Sequence, residues 1–247
     1  MIKFIILGVV QGLTEFLPVS SSGHLVIVQK ILNIQDHLLT TSVVLHLGTL
    51  LAVIIFFWKD ILGLLKDLKL FGQLCLVVMI TGLIGILGKD FFENLFSSAK
   101  AVAVAWIFTG LILLATKRIT QLNKDKLLIK DAVILGLVQG LAIIPGISRS
   151  GITISTLFFR KVNRQLAFSI SFLVSIPIIL GAGLLEARKI GSLPQADIKL
   201  LAVGLIFSFI FGLIALFVLK LIIYKAKFYY FGYYCLFMAV FTLLFIK

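Results

Sequence analysis

Apolar residues in this chain come in long runs rather than alternating with polar ones, and two of the runs break off at polar turns. Six stretches, about 38–58, 73–88, 101–116, 166–185, 200–219 and 229–246, are long enough, or nearly so, to cross a hydrocarbon core as helices. Two further apolar segments, about 2–17 and 132–144, are shorter. Each leads through a proline and a polar turn into another short helix, about 25–33 and 152–159, which predicts a re-entrant hairpin. Hydrocarbon offers no partner to an irregular backbone, so both turns are expected inside the helix bundle.

The two hairpin segments are copies. Ile6-Leu-Gly-Val-Val-Gln-Gly-Leu13 recurs as Ile134-Leu-Gly-Leu-Val-Gln-Gly-Leu141, identical at seven of eight positions. Both carry Gly-x-x-x-Gly, Gly8 with Gly12 and Gly136 with Gly140, a spacing that lets helix backbones approach closely. A contact between the two hairpins is expected from it, and a homodimer is its other use. Each hairpin is followed by three spans, an odd number, so the second unit enters the membrane from the other side. The expected fold is therefore an all-α integral membrane protein with two inverted-topology repeats, each a re-entrant helical hairpin plus three transmembrane helices. It forms a single membrane domain over residues 1–247, with repeat one at about 1–116 and repeat two at about 132–246.

Composition agrees: 61% of residues are hydrophobic, 13% are charged and mean hydropathy is +1.18, more apolar surface than a soluble core can hide. The formal charge of +13 sits in short loops, where orienting the protein is the usual purpose, so no nucleic-acid partner is expected. Some of these residues also suit anionic membrane lipids. Loops 59–72, 117–130, 160–165 and 220–227 hold 14 Lys and Arg against 8 in the opposite set. The richer set is expected in the cytoplasm, with both termini and the mouth of any site outside. Residues 1–17 lack a basic cluster and a cleavage site and carry Glu15, so they read as mature protein. Cys75 and Cys235 lie in predicted spans without metal or redox spacing and read as packing residues.

The turns carry the chemistry. Gln11 and Glu15, four apart, share a helix face, and a carboxylate at membrane depth is costly; general base, metal ligand and gate for substrate are its open roles. Ser20, Ser21, Ser22, Gly23 and His24 precede a short helix whose free amides and dipole favour an anion, although any one serine also suits capping. An imidazole beside these hydroxyls can activate one of them or attack phosphorus itself. The second turn offers Ser148, Arg149, Ser150 and Thr153. Arg149 suits bidentate binding of phosphate, or alternatively a salt bridge to Glu15. Together the turns describe a site for a phosphate or diphosphate.

Gln11-Gly-Leu-Thr-Glu-Phe-Leu-Pro-Val-Ser-Ser-Ser-Gly-His24 and Pro145-Gly-Ile-Ser-Arg-Ser-Gly-Ile-Thr153 closely resemble the two signature motifs of the undecaprenyl-diphosphate phosphatase, or bacitracin-resistance, family. The resemblance extends over the whole chain, including Val43-Val-Leu-His-Leu-Gly-Thr-Leu-Leu-Ala52. It implies a multi-pass protein of the bacterial inner membrane that removes the terminal phosphate of a polyprenyl diphosphate lipid, recycling the carrier for cell-wall synthesis. A divalent cation, Mg²⁺ or Ca²⁺, is the implied cofactor, with Glu15 its candidate ligand. By the same resemblance Glu15, Ser21, His24 and Arg149 are catalytic. Gln11, Ser20, Ser22, Ser148, Ser150 and Thr153 bind substrate. Position 11, often Glu in the family, is Gln here, and His46 stands where some members have Gln, its role open. Attack by Ser21 with His24 as partner is the favoured order, with direct attack by His24 as the alternative. The rival function is transport of a polyprenyl phosphate. The phosphatidic-acid phosphatase type 2 superfamily also uses Ser-Gly-His and Ser-Arg motifs but needs a second histidine, and none occurs from Gly151 to Leu166.

Overall fold

A computed structural model describes residues 1–34, 38–96, 98–191 and 194–246. Helices α1 (Ile2–Phe16) and α2 (Ser21–Ile31) pack together as the first hairpin. They are followed by α3 (Leu38–Phe56), α4 (Trp58–Leu64), α5 (Leu68–Leu87), α6 (Lys89–Phe96) and α7 (Ala99–Ala115). The second hairpin, α8 (Ile129–Leu141) and α9 (Arg149–Phe159), precedes α10 (Arg164–Leu173), α11 (Ser175–Gly191), α12 (Gln195–Tyr224) and α13 (Tyr230–Phe245).

Among the described residues, four helical segments are long and apolar enough to cross a membrane: Leu68–Leu87, Ala99–Arg118, Arg164–Leu185 and Asp197–Tyr224. A fifth is counted when Thr40–Phe56 and Trp58–Leu64, bent by 73°, are taken together. This is a multi-pass membrane architecture. The expected span at 229–246 is the apolar but shorter α13, of 16 residues. The span expected at 166–185 is the single segment Arg164–Leu185, interrupted at one residue, Val174, between α10 and α11. Pro177 explains it: proline has no N–H to give the carbonyl one turn back, and its ring crowds that carbonyl. Cys235 is buried, as expected of a packing residue, but Cys75 is exposed on the outer face of α5.

The repeated glycines bring helix backbones together, with other partners than expected. Instead of joining the hairpins, Gly8 and Gly12 face α12, and Gly136 and Gly140 face α5. A methyl group at Gly12 would sit 2.7 Å from the Ser208 carbonyl oxygen and 2.8 Å from the Gly212 nitrogen. Lipid tails are as apolar as leucine, so close van der Waals contact of this kind is what holds α1 to α12. The first hairpin thus rests on a helix from the far end of the chain, and the second on a helix from the first half. The hairpins meet instead at their turns.

One register relates the two halves. The N-cap residues Ser20 and Ser148 are 128 positions apart, as are Gln11 and Gln139, and α2 and α9 both have 11 residues. After each of these helices one residue adopts positive φ, Asn33 at 50° and Lys161 at 63°, again 128 apart.

Candidate active site

Each turn delivers a helix start to the bundle interior. The Ser20 side chain accepts from the Gly23 amide at 3.3 Å and the Ser148 side chain from the Gly151 amide at 3.1 Å, as N-caps do. The amides of Ser21, Ser22, Arg149 and Ser150 then donate to no protein acceptor among the described residues. Four free N–H groups at two helix starts form an anion cradle.

The turns are joined directly. The Gly146 amide donates to Ser20 Oγ at 3.1 Å, and Ser150 Oγ donates to the Leu17 carbonyl at 3.3 Å. Helices α7 and α13 brace them from outside the hairpins: Trp106 Nε1 donates to the Val19 carbonyl at 2.7 Å, Thr109 Oγ1 to the Gly146 carbonyl at 3.0 Å, and Cys235 Sγ to the Pro18 carbonyl at 3.5 Å. Gly146 has φ of 97°, where a side chain would be strained and would also run into Ala105 Cβ at 2.7 Å.

Glu15 is the hub, buried at 7% exposure. One carboxylate oxygen takes Arg149 Nη2 at 2.6 Å; the other takes Ser21 Oγ at 2.5 Å and Gln11 Nε2 at 3.1 Å, with His46 Nε2 at 3.3 Å. Of the two readings of Arg149, the salt bridge to Glu15 is the one formed here. Its other terminal nitrogen donates to the Ser171 carbonyl at 3.3 Å, and the guanidinium lies 5.4 Å from the centre of the Phe172 ring. His46 Nδ1 meets the Ser42 carbonyl at 2.7 Å and so carries a proton. Its Nε2 faces the Glu15 carboxylate, to which it can donate when protonated.

His24 is oriented differently from the favoured expectation. Its Nδ1 lies 2.7 Å from the Ser20 carbonyl, which can only accept, so Nδ1 bears the proton of the neutral ring. Nε2 then accepts from the Tyr234 hydroxyl, also at 2.7 Å. The imidazole stacks on Tyr234 and meets Trp106 edge-on, with centroids 5.7 and 5.2 Å away. Ser21 turns to Glu15 for its hydrogen bond, and the Ser21–His24 pair is not formed.

The remaining hydroxyls divide by capacity. Ser20 Oγ accepts from Gly23 and Gly146 and is paired with Ser22 Oγ at 3.3 Å, which uses its one proton and both lone pairs. Thr153 Oγ1, fully buried, is spent on the Arg149 carbonyl at 2.7 Å and Ser171 Oγ at 2.7 Å. Ser22 keeps a free proton, and Ser148 and Ser150, 3.3 Å apart, each keep a lone pair. Two buried oxygens of the repeated phrase, Gln11 Oε1 and Gln139 Oε1, have no hydrogen-bond partner.

Tyr234 and Trp106 escaped the sequence reading. They lie 128 positions apart, so extending the register of the repeated phrase to the third span of each half would have paired them.

The chain matches the family model described as bacitracin resistance protein BacA over residues 4–241. Relatives named undecaprenyl-diphosphatase include one from Halothermothrix orenii, 44% identical over 94% of this chain and 93% of that protein. One from Carboxydothermus hydrogenoformans is 42% identical over 93% and 91%, and one from Thermotoga petrophila 40% over 97% and 98%. With a family model spanning nearly its whole length and relatives of this closeness, the chain belongs to the bacitracin resistance protein family.

Proposed function

We propose that the protein is an undecaprenyl-diphosphatase, hydrolysing undecaprenyl diphosphate to undecaprenyl phosphate and inorganic phosphate and so recycling the lipid carrier of cell-wall synthesis. The observation that carries the mechanism is the Ser21 hydroxyl, 2.5 Å from a carboxylate that is itself held by Arg149. In this reading the terminal phosphate enters the cradle of four amides and takes Arg149 from Glu15. The carboxylate, deprived of its guanidinium partner, becomes the stronger base and accepts the Ser21 proton as Oγ attacks phosphorus. The bond to the bridging oxygen breaks and undecaprenyl phosphate leaves. Water then cleaves the phosphoserine, giving a proton to His24 Nε2, which exchanges its Tyr234 hydrogen bond for one to water, while Glu15 returns its proton to the leaving Ser21 oxygen. Developing charge on the phosphoryl oxygens is met by Arg149, the free amides and the Ser22 hydroxyl. Ser20 and Thr153 hold the turns rather than the substrate.

A divalent cation fits this donor set as a companion of the substrate. Among the described residues no group of three or more His, Cys, Asp or Glu is placed to hold a metal. Glu15 and the unpartnered Gln11 Oε1 are hard oxygen donors, and Mg²⁺ or Ca²⁺ would take its other ligands from the diphosphate. Bound there, it would neutralise phosphate charge.

The common 128-residue register and the crossed packing of α1 on α12 and α8 on α5 support two inverted repeats within one domain. The charge of the loops supports a site opening on the outer side of the inner membrane. A cysteine placed at Ser22 should then react with an impermeant thiol reagent outside intact cells.

Purified protein in detergent, given undecaprenyl diphosphate, is expected to release phosphate, which a transporter of polyprenyl phosphate would not do. Mass spectrometry of acid-quenched single turnovers should find phosphate on Ser21. Phosphate on His24 would overturn the assignment of nucleophile, and no release at all would overturn the function.

A further inference from the structure

The foot of the second hairpin carries a second concentration of charge that the catalytic reading leaves unused. Asp131, fully buried in the first turn of α8, accepts from Lys124 Nζ, from the Leu128 amide at 3.1 Å and from Arg160 Nε at 2.7 Å. The backbone is tied at the same place: the Lys124 amide donates to the Lys161 carbonyl and the Asn163 amide to the Lys124 carbonyl, both at 3.0 Å. Beside this knot is a cavity of 320 Å³ lined by Asn123, Lys124, Leu128, Lys130, Phe159, Arg160 and Lys161. Four of the seven lining residues are cationic and none is acidic, and the single buried carboxylate behind them leaves three positive charges uncompensated.

Their donors are also unspent. Arg160 uses only Nε on Asp131, which fixes the guanidinium while its two terminal nitrogens keep no protein acceptor among the described residues. The ammonium groups of Lys130 and Lys161 and the amides of Ile129 and Lys130, at the start of α8, are equally without one. A planar fork, two ammonium groups and a helix start ask for an anion with several oxygens, which a phosphate supplies. The repeat does not impose this. At the positions 128 residues earlier stand Lys3, Leu32 and Asn33, with no carboxylate and no arginine.

We propose that this cavity binds a phosphate-bearing anion at a site separate from the catalytic turns, and that the anion is a lipid headgroup or free inorganic phosphate. Exposed Leu128 and Phe159 in its wall favour the lipid. The site lies at the far end of α8 from Arg149, about 20 Å for a helix of 13 residues. It also lies between loops of the lysine-rich set, where a basic pocket at a membrane surface meets anionic lipid.

The test is native mass spectrometry of the full chain in nonionic detergent, titrated with phosphatidylglycerol and with diacylglycerol. The variant combines Lys130→Gln with Lys161→Asn; asparagine tolerates positive φ and already occupies the matching position 33, and the Asp131 knot is left intact. Phosphatidylglycerol is expected to bind the wild type more tightly than diacylglycerol, and the double variant to lose roughly tenfold in affinity. Phosphate release from undecaprenyl diphosphate should be unchanged, which also reports that the variant is folded. Displacement of phosphatidylglycerol by millimolar inorganic phosphate assigns the site to the free anion; resistance to displacement assigns it to the headgroup. Equal binding of the two lipids, or a double variant that binds phosphatidylglycerol as the wild type does, overturns the proposal.

Discussion

The two turns are built on one skeleton and carry different chemistry. Ser20 and Ser148 cap their helices through Gly23 and Gly151, and Ser22 and Ser150 each pair with their own cap. At the other positions of the same register the turns part: Glu15, Ser21 and His24 in the first correspond to Ile143, Arg149 and Ile152 in the second. Backbone conformation parts as well, since Ser20 has φ of 66° and Ser148 of −76°. Ser20 accepts that unusual geometry because three hydrogen bonds to its hydroxyl and two to its carbonyl hold it there. Free amides at a helix start thus occur twice, while the side chains differ: in the proposed mechanism the first turn brings the nucleophile and its base and the second brings the cation.

That division breaks down if matched substitutions in the two turns have matched effects. The largest difference is expected between Ser21→Ala and Ser150→Ala, measured as phosphate release per folded protein. The first should lose about four powers of ten and the second about one, as for a lost nucleophile against a lost hydrogen bond. Next comes Arg149→Lys, which keeps the charge but not the fork and should cost about a hundredfold in kcat with the protein still inserted. Near-normal turnover would return Arg149 to a purely structural pairing with Glu15.

Smaller effects probe the partners. Tyr234→Phe keeps the ring against His24 and removes only the hydroxyl that holds Nε2; kcat should fall about tenfold with KM unchanged. A parallel readout is the rate at which diethyl pyrocarbonate modifies His24, which should rise in the variant as Nε2 is uncovered. Smallest is the pair Gln11→Ala and Gln139→Ala. Gln11 touches Glu15 and should cost roughly three- to tenfold in turnover, because a neutral hydrogen bond is a modest loss. Gln139 donates to Thr81 Oγ1 at 3.2 Å, remote from the chemistry, and should change thermal stability but not kcat.

The hairpins and the Gln11–Glu15 pair are legible in the sequence because each is local, but the second helices, expected from about 25 and 152, start at Ser21 and Arg149, so that Ser21 and His24, and Arg149 and Thr153, stand on the helices rather than ahead of them. Capping needs a serine three residues before an amide, and a helix face needs a spacing of four. The partners of the glycines were not legible, since Gly-x-x-x-Gly announces a close contact without saying with what. Nor was the switch of Ser21 from His24 to Glu15. Ser21 and His24 are three apart on one short helix, and only the positive φ at Ser20, with Tyr234 waiting 210 residues away, turns the imidazole from the serine. The sequence leaves the role of His46 open, because its contact with Glu15 depends on how α3 packs against α1.

The crossed packing of the hairpins has a consequence for how the protein is made. The glycine face of α1 leaves the ribosome about 190 residues before the helix that covers it, α12. Until then a helix carrying a buried glutamate and glutamine has no permanent neighbour on that side, and the hairpin must be held provisionally by the insertion machinery or by its own α3. Cutting the gene in the loop between α7 and α8 would therefore yield two fragments that are each incomplete, since each half keeps its own hairpin but lacks the helix on which that hairpin rests. Co-expressed, they should exchange those helices and reassemble; expressed singly, each should be cleared by membrane proteolysis.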